Sequence, residues 1–287
     1  MGSGASADMN TYRLGLYEKS MPQDLDWEKK LTAAKVNGFD WLEISIDESE
    51  YRLNRLWDNE EPERILSAEK KSGCPVRTMC LSGHRKYPLG SLDKTVRKKS
   101  LEIMERAIIF SAMTGIRMIQ LAGYDVYYEK SSAETNKYFL EGLSKSCEIA
   151  SRYGVMLGFE TMETPFMDTV EKAMVYVKKI NSPYLQLYPD VGNLTNASLL
   201  YHTSLCDDIE KGRGHIAAVH LKETMPGVYR NISFGNGHVD FYTVIKKMWE
   251  VGARQFTGEF WCKDKMDYSR EIKNSADFLN GFLTQMH

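Results

Sequence analysis

From residue 12 to the C-terminus, short apolar runs alternate with longer segments in which apolar residues recur every three or four positions. The short runs are YRLGLYE (12–18), FDWLEISID (39–47), VRTMCLS (76–82), MIQLAG (118–123), VMLGFET (155–161), LQLYPD (185–190), IAAVHLKE (216–223) and FTGEFW (256–261). Brief and rich in branched and aromatic residues, they read as buried strands. Between them lie helical stretches. Leu140, Leu143, Cys147 and Ala150 share one face ahead of a stop at Gly154, and Ile103, Met104, Ala107, Ile108 and Met113 form a similar apolar set ahead of Gly115. Asp26 starts a helix that Gly38 ends, and Asp168 and Asp240 are further N-cap candidates.

Eight strand–helix units with no linker or composition break predict an α/β chain folded as a single (β/α)₈ TIM barrel over residues 9–287. The first eight residues, MGSGASAD, read as the remnant of an expression tag. A doubly wound open sheet is the alternative. That fold usually carries a glycine-rich turn after its first strand, where this chain has YEKSMP (17–22).

In a barrel the working residues stand at the C-terminal ends of the strands. The last four predicted strands end near Glu160, Asp190, His220 and Glu259, spaced 30, 30 and 39 residues apart. Each spacing is one strand–helix step, so neighbouring strands present neighbouring side chains. A lone histidine at such a place more often fills a core, and a lone glutamate can pair with a barrel cation. Four in succession outweigh that reading. Three carboxylates and an imidazole meeting at one mouth suit a divalent cation: Zn²⁺, Mn²⁺, Co²⁺ or Mg²⁺. Glu43 and Gln120, on the second and fourth strands, either line the same pocket or fill the barrel. His202, His215 and His238 read as structural or surface residues.

Composition narrows the function. The 287 residues carry 37 basic and 39 acidic side chains, a net charge of −2. Such a surface has no general attraction for nucleic acid or an anionic membrane. It counts against a DNA-cleaving enzyme on this fold, as do only six histidines. Cys74, Cys80, Cys147, Cys206 and Cys262 are odd in number and scattered, which predicts free thiols in a reducing compartment. No apolar run approaches the length of a membrane span, so a cytoplasmic location is expected.

LGFE (157–160), LYPDVGN (187–193), AVHLKET (218–224), FGNGHVDF (234–241) and TGEFW (257–261) resemble the motifs of sugar-phosphate 3-epimerases of the xylose-isomerase-like barrel superfamily. With LGLYEKSMP (14–22), MCLSGHRKYPLGS (79–91) and IQLAGYDVYY (119–128), the chain is most similar to the L-ribulose-5-phosphate 3-epimerase family, also named for L-xylulose 5-phosphate, of bacterial ascorbate use. The resemblance implies one divalent metal ion held by Glu160, Asp190, His220 and Glu259, the four positions that the strand ends already single out. It implies a phosphorylated ketopentose as substrate, and a homodimer as in related barrels. Asn193 stands where related free-sugar epimerases carry a substrate-contacting histidine, which fits the phosphopentose branch.

Inverting C3 of a ketose requires removal of a proton beside a carbonyl. A cation near the C2 carbonyl and the C3 hydroxyl would make that proton more acidic by stabilising the enediolate. Two groups on opposite faces must then remove and return the proton, roles that suit Glu160 and Glu259. Phosphate needs cations, and His84, Arg85 and Lys86 cluster in the loop after the third strand. Lys222 projects from the same side as His220, and Arg230 precedes the FGNGHVDF loop. The glycine N–H groups of that loop are a further candidate anion cradle. Trp261, Tyr124, Tyr127 and Tyr128 are expected to wall the site or a subunit contact. An aldose–ketose isomerase (for example of hexulose 6-phosphates), a dehydratase of inosose type and a non-catalytic sugar-phosphate sensor are the competing readings.

Overall fold

The apolar runs form eight parallel strands: β1 Arg13–Tyr17, β2 Trp41–Ile46, β3 Val76–Leu81, β4 Met118–Ala122, β5 Met156–Glu160, β6 Leu185–Leu187, β7 Val219–Leu221 and β8 Gln255–Gly258. The helices are α1 Trp27–Val36, α2 Glu50–Leu53, α3 Glu61–Ser72, α4 Lys94–Thr114, α5 Ala133–Tyr153, α6 Val170–Ile180, α7 Val191–Tyr201, α8 Leu205–Glu210, α9 Phe241–Glu250 and α10 Tyr268–Leu283. The structure, a computed structural model, describes residues 12–263 and 267–286; MGSGASAD lies outside the described residues.

The sheet order is β6-β5-β4-β3-β2-β1-β8-β7. Two single bridges, Leu187 to Ile216 and Asp190 to His220, close the ring between β6 and β7. A strand in such a ring lies under helices on its outer side and against other side chains on its inner side. All six residues of β2 are therefore buried, and its sequence shows no alternation.

The helices pack by their apolar stripes. In α9 the buried set Phe241, Val244, Ile245, Met248 and Trp249 follows the helical repeat. Burying each such side chain contributes about 1.5–3 kcal/mol before entropy is counted. Stops at Gly115 (φ 77°) and Gly154 (φ 66°) lie where the sequence predicts them, because both end residues adopt the left-handed conformation that glycine tolerates. Asp26 and Asp240 cap α1 and α9 as expected.

Asp168 does not cap a helix. The Thr169 hydroxyl, one residue later, accepts from the Lys172 N–H and caps α6. The Asp168 carboxylate instead accepts from Lys172 Nζ and the Tyr201 hydroxyl, each at 2.6 Å. The sixth and seventh strands are also shorter than their apolar runs. Pro189 has no N–H to give a ladder, and α7 begins at Val191. At the N-terminal end of the barrel the Trp41 indole fills the space where a side chain on Gly15 would lie.

Candidate active site

β5 to β8 deliver their chemistry to one place. Glu160 is the last residue of β5, and Asp190 lies three residues past β6 as the N-cap of α7. His220 is central in β7, and Glu259 follows the end of β8. All four are buried, and one donor atom from each lies within 4.8 Å of every other.

Local bonds fix each of them. The Asp190 Oδ1 atom accepts the Asn193 N–H at 2.7 Å, and the Thr161 hydroxyl oxygen accepts the Asp190 N–H at 3.0 Å. His220 Nε2 stands 2.6 Å from Glu43 Oε1. Glu43 Oε2 in turn accepts from the Tyr188 hydroxyl at 2.8 Å and the Thr78 hydroxyl at 2.7 Å. With Nε2–H donating to Glu43, Nδ1 faces Glu160 Oε1 (3.3 Å) and Glu259 Oε2 (3.5 Å). A histidine that gives one N–H to a carboxylate and turns its other nitrogen inward is set up as a metal ligand.

The electrostatics agree with that arrangement. Burial, with the Glu259 and Glu160 charges beside it, pushes the Asp190 carboxyl up to about 8. Burial and Glu259 also raise Glu160. Burial works against charge on Glu259 too, but the Lys222 and His220 charges outweigh it and hold its carboxyl low. His220 is raised despite its burial, by Glu43 and Glu259. Such a crowd of acids carries protons that a divalent ion would displace. Asp190 Oδ2 and Glu259 Oε2 are buried without a well-aligned hydrogen bond, although the Lys222 ammonium stands 3.1 and 3.4 Å from them. Two buried oxygens in need of a cation, among three carboxylates and one imidazole, fit a hard or borderline divalent ion.

Glu160 and Glu259 open into a cavity of about 270 Å³. Lys222, Arg85, Arg230, Lys19 and Trp261 share its lining. Lys222 bridges Asp190 and Glu259. Arg85 lies over the Tyr127 ring at 4.8 Å, and its Nε is buried with no acceptor. Arg230 pairs with Glu163 at 2.7 Å.

Other candidates serve from outside the cavity. The His84 ring is buried, bonded at 3.1 Å to the Ser100 carbonyl. Burial lowers its pKa to about 4, so it brings no charge to a phosphate. Lys86 is exposed and faces Tyr87. Gln120 donates to Glu160 Oε2, and Asn193 donates from its amide to the Thr161 carbonyl at 2.7 Å; both orient their neighbours. Of the tyrosines, Tyr124 is buried and Tyr128 reaches out to Glu48. The FGNGHVDF loop is not an anion cradle. Its Gly235 and Val239 N–H groups are taken at 3.0 and 3.2 Å by the Glu223 carboxylate, an anion within the chain itself.

Lys19 and the role of Glu43 escape sequence reasoning. Lys19 follows the end of β1, and strand position alone was the signal for it. Cys74, Cys80, Cys147 and Cys206 are free thiols. Among the described residues no helix is long and apolar enough to cross a membrane.

Comparison with known proteins adds lineage to this geometry. The profile of the xylose isomerase-like TIM barrel family matches residues 31–281. The L-ribulose-5-phosphate 3-epimerase UlaE of Shigella boydii serotype 18 is 42% identical over 268 residues, 93% of each chain. The chain belongs to the L-ribulose-5-phosphate 3-epimerase family of xylose isomerase-like TIM barrels. Membership makes it an isomerase of the carbohydrate epimerase class. Two solved structures share the fold at a TM-score of 0.79. One is a D-tagatose 3-epimerase-like protein, 18% identical, over 96% of this chain and 98% of that one. The other is the IOLI protein with a bound zinc atom, 13% identical, over 96% and 99%.

Proposed function

We propose that the chain is a divalent-metal-dependent 3-epimerase that interconverts L-xylulose 5-phosphate and L-ribulose 5-phosphate in the cytoplasm, as a step in L-ascorbate and pentose breakdown. The observation that carries this reading is the pair of buried glutamates, Glu160 on β5 and Glu259 after β8, with Asp190 after β6 and His220 on β7 between them. The 42% identity to UlaE supports the choice of substrate. A homodimer without nucleic-acid or membrane partners completes the reading.

Glu160, Asp190, His220 and Glu259 would hold the ion, zinc or manganese first, with cobalt and magnesium as alternates. When bound, it supplies Lewis-acid polarisation of the C2 carbonyl. The chain's own residues do the rest. One glutamate takes the C3 proton from one face of the ketose, and the other returns a proton to the opposite face. In the reverse direction they exchange roles. Lys222 places a fixed positive charge in the cavity wall, where charge develops during proton removal. Arg85 and Arg230 stand at the mouth as donors for the 5-phosphate.

The test is proton exchange in D₂O. Zinc-supplemented enzyme with L-ribulose 5-phosphate should yield L-xylulose 5-phosphate carrying deuterium at C3, read by NMR. Exchange confined to C1 would point to an aldose–ketose isomerase and overturn the proposal. Glu160→Gln and Glu259→Gln should each lower kcat by about 10²–10⁴, while phosphate-ester binding persists. Unchanged turnover in either variant would remove the two-glutamate mechanism.

A further inference from the structure

A second cavity, of about 720 Å³, opens at the opposite, N-terminal end of the barrel strands. Five cationic side chains line it, Arg13, Lys35, Arg77, Arg117 and Arg254, with one carboxylate, Asp40. Asp40 is already engaged: its oxygens accept from Arg13 Nη1 and from the Leu14 N–H, each at 2.9 Å. Arg254 donates to the Trp249 and Ala253 carbonyls and stacks on the Trp249 ring. Glu69, the acid whose carboxyl senses Arg77, accepts the Val76 N–H at 2.6 Å. Lys35, Arg77 and Arg117 form no salt bridge among the described residues.

So dense a group of like charges stands out in a protein of net charge −2. Mutual repulsion makes it unfavourable unless an anion visits it. Guanidinium forks match phosphate oxygens in pairs, which a scatter of lysines does not do. The rest of the lining is four apolar residues, Trp41, Pro75, Met118 and Met156, and two uncharged polar ones, Thr78 and Gln255. The Trp41 indole is fixed from below by its bond to the Thr78 hydroxyl at 3.3 Å. A volume of this size takes a whole small molecule.

We propose that this basal cavity is a second binding site, for an organic phosphate. Arg77 and Arg117 hold the phosphate group, and its flat apolar part lies against Trp41 and Pro75. The site is separate from the epimerase centre and does not depend on that reading.

Calorimetric titration of the zinc-supplemented protein with AMP, inorganic phosphate and adenosine tests it. AMP should bind once per chain, at least ten-fold tighter than inorganic phosphate, and adenosine should give no heat at the same concentrations. Saturating L-ribulose 5-phosphate and the Arg85→Ala variant should both leave AMP binding intact. Arg77→Ala with Arg117→Ala should weaken AMP binding more than ten-fold while epimerase turnover is kept. If that double variant folds poorly, the single Arg117→Gln change should weaken AMP binding in the same direction. The proposal falls if AMP does not bind, if phosphate binds as well as AMP, if the basal variants bind AMP normally, or if Arg85→Ala or the sugar phosphate abolishes binding.

Discussion

Glu43 decides which nitrogen of His220 faces the acids. Its carboxylate accepts from Nε2–H, and Tyr188 and Thr78 hold the carboxylate itself. Glu43→Gln keeps the shape but weakens that grip, and the amide can present a donor to a nitrogen that must itself donate. Orienting partners of this kind usually change metal affinity or activity by about 10–100-fold. Zinc affinity measured by competition with a chelator, together with kcat, should fall by that order in Glu43→Gln while the melting temperature changes little. An unaltered zinc affinity would mean that β7 alone positions the ring. In the sequence, Glu43 sits in WLEISI as a lone acid in an apolar strand, which leaves pocket and barrel filling equally open. His84 shows the converse difficulty. In SGHRKY a histidine and two cations adjoin, and only the tight turn of the folded loop separates the buried ring from the cavity-lining Arg85.

Strand ends were legible as elements because an acid or a histidine late in an apolar run conflicts with burial unless something gathers it. That conflict recurs in each of the last four repeats, so four weak signals reinforce one another. Helix starts and stops were legible through Asp26, Asp240, Gly115 and Gly154, whose side chains or backbone freedom act locally. Loops were less so, since their partners lie far along the chain. FGNGHVDF looks open to an anion, yet Glu223, eleven residues before its first phenylalanine, satisfies its N–H groups. Removing that carboxylate should therefore unpin the loop. Glu223→Ala is expected to lower stability by about 2–3 kcal/mol in urea unfolding, because three donors, Thr224 N–H among them, lose their acceptor. Amide exchange should rise first at residues 235–239. Uniform exchange across the barrel in that variant would show that the loop is held by other contacts.

Away from the active-site acids, two buried groups lower stability in acid. His84 is neutral in the fold until about pH 4, whereas the unfolded chain takes up that proton near 6.5. Between these values the unfolded state binds more protons, so stability falls as pH drops, by up to about 3 kcal/mol. Glu18 acts in the same direction at lower pH. Burial opposes its charge, but Arg55 and Lys30 hold its carboxyl down to about 2, with three contacts of 2.8 Å. Its contribution stays whole above the unfolded value near 4.5 and is lost as pH falls from there toward 2. The melting temperature of the wild type should thus fall relative to that of His84→Gln between pH 6.5 and 4, and both proteins should lose the Glu18 contribution below 4.5. Parallel curves for the wild type and His84→Gln from 6.5 to 4.5 would contradict the His84 assignment.

The joint between β6 and β7 has a mechanical meaning as well. Seven neighbouring strand pairs are laced by ladders of three or more residue pairs, but this one is stitched by single bridges, and Asp190 and His220 are the partners in one of them. An ion gripped by both would act as a rivet across the weakest seam of the hoop. Chelation should then speed amide exchange at Leu187, Ala217 and His220 ahead of β1 to β4, whereas equal protection with and without metal would mean that the bridges carry the load alone. On this view, loss of such an ion would disarm the proposed epimerase and start to unbuckle the barrel from the same side.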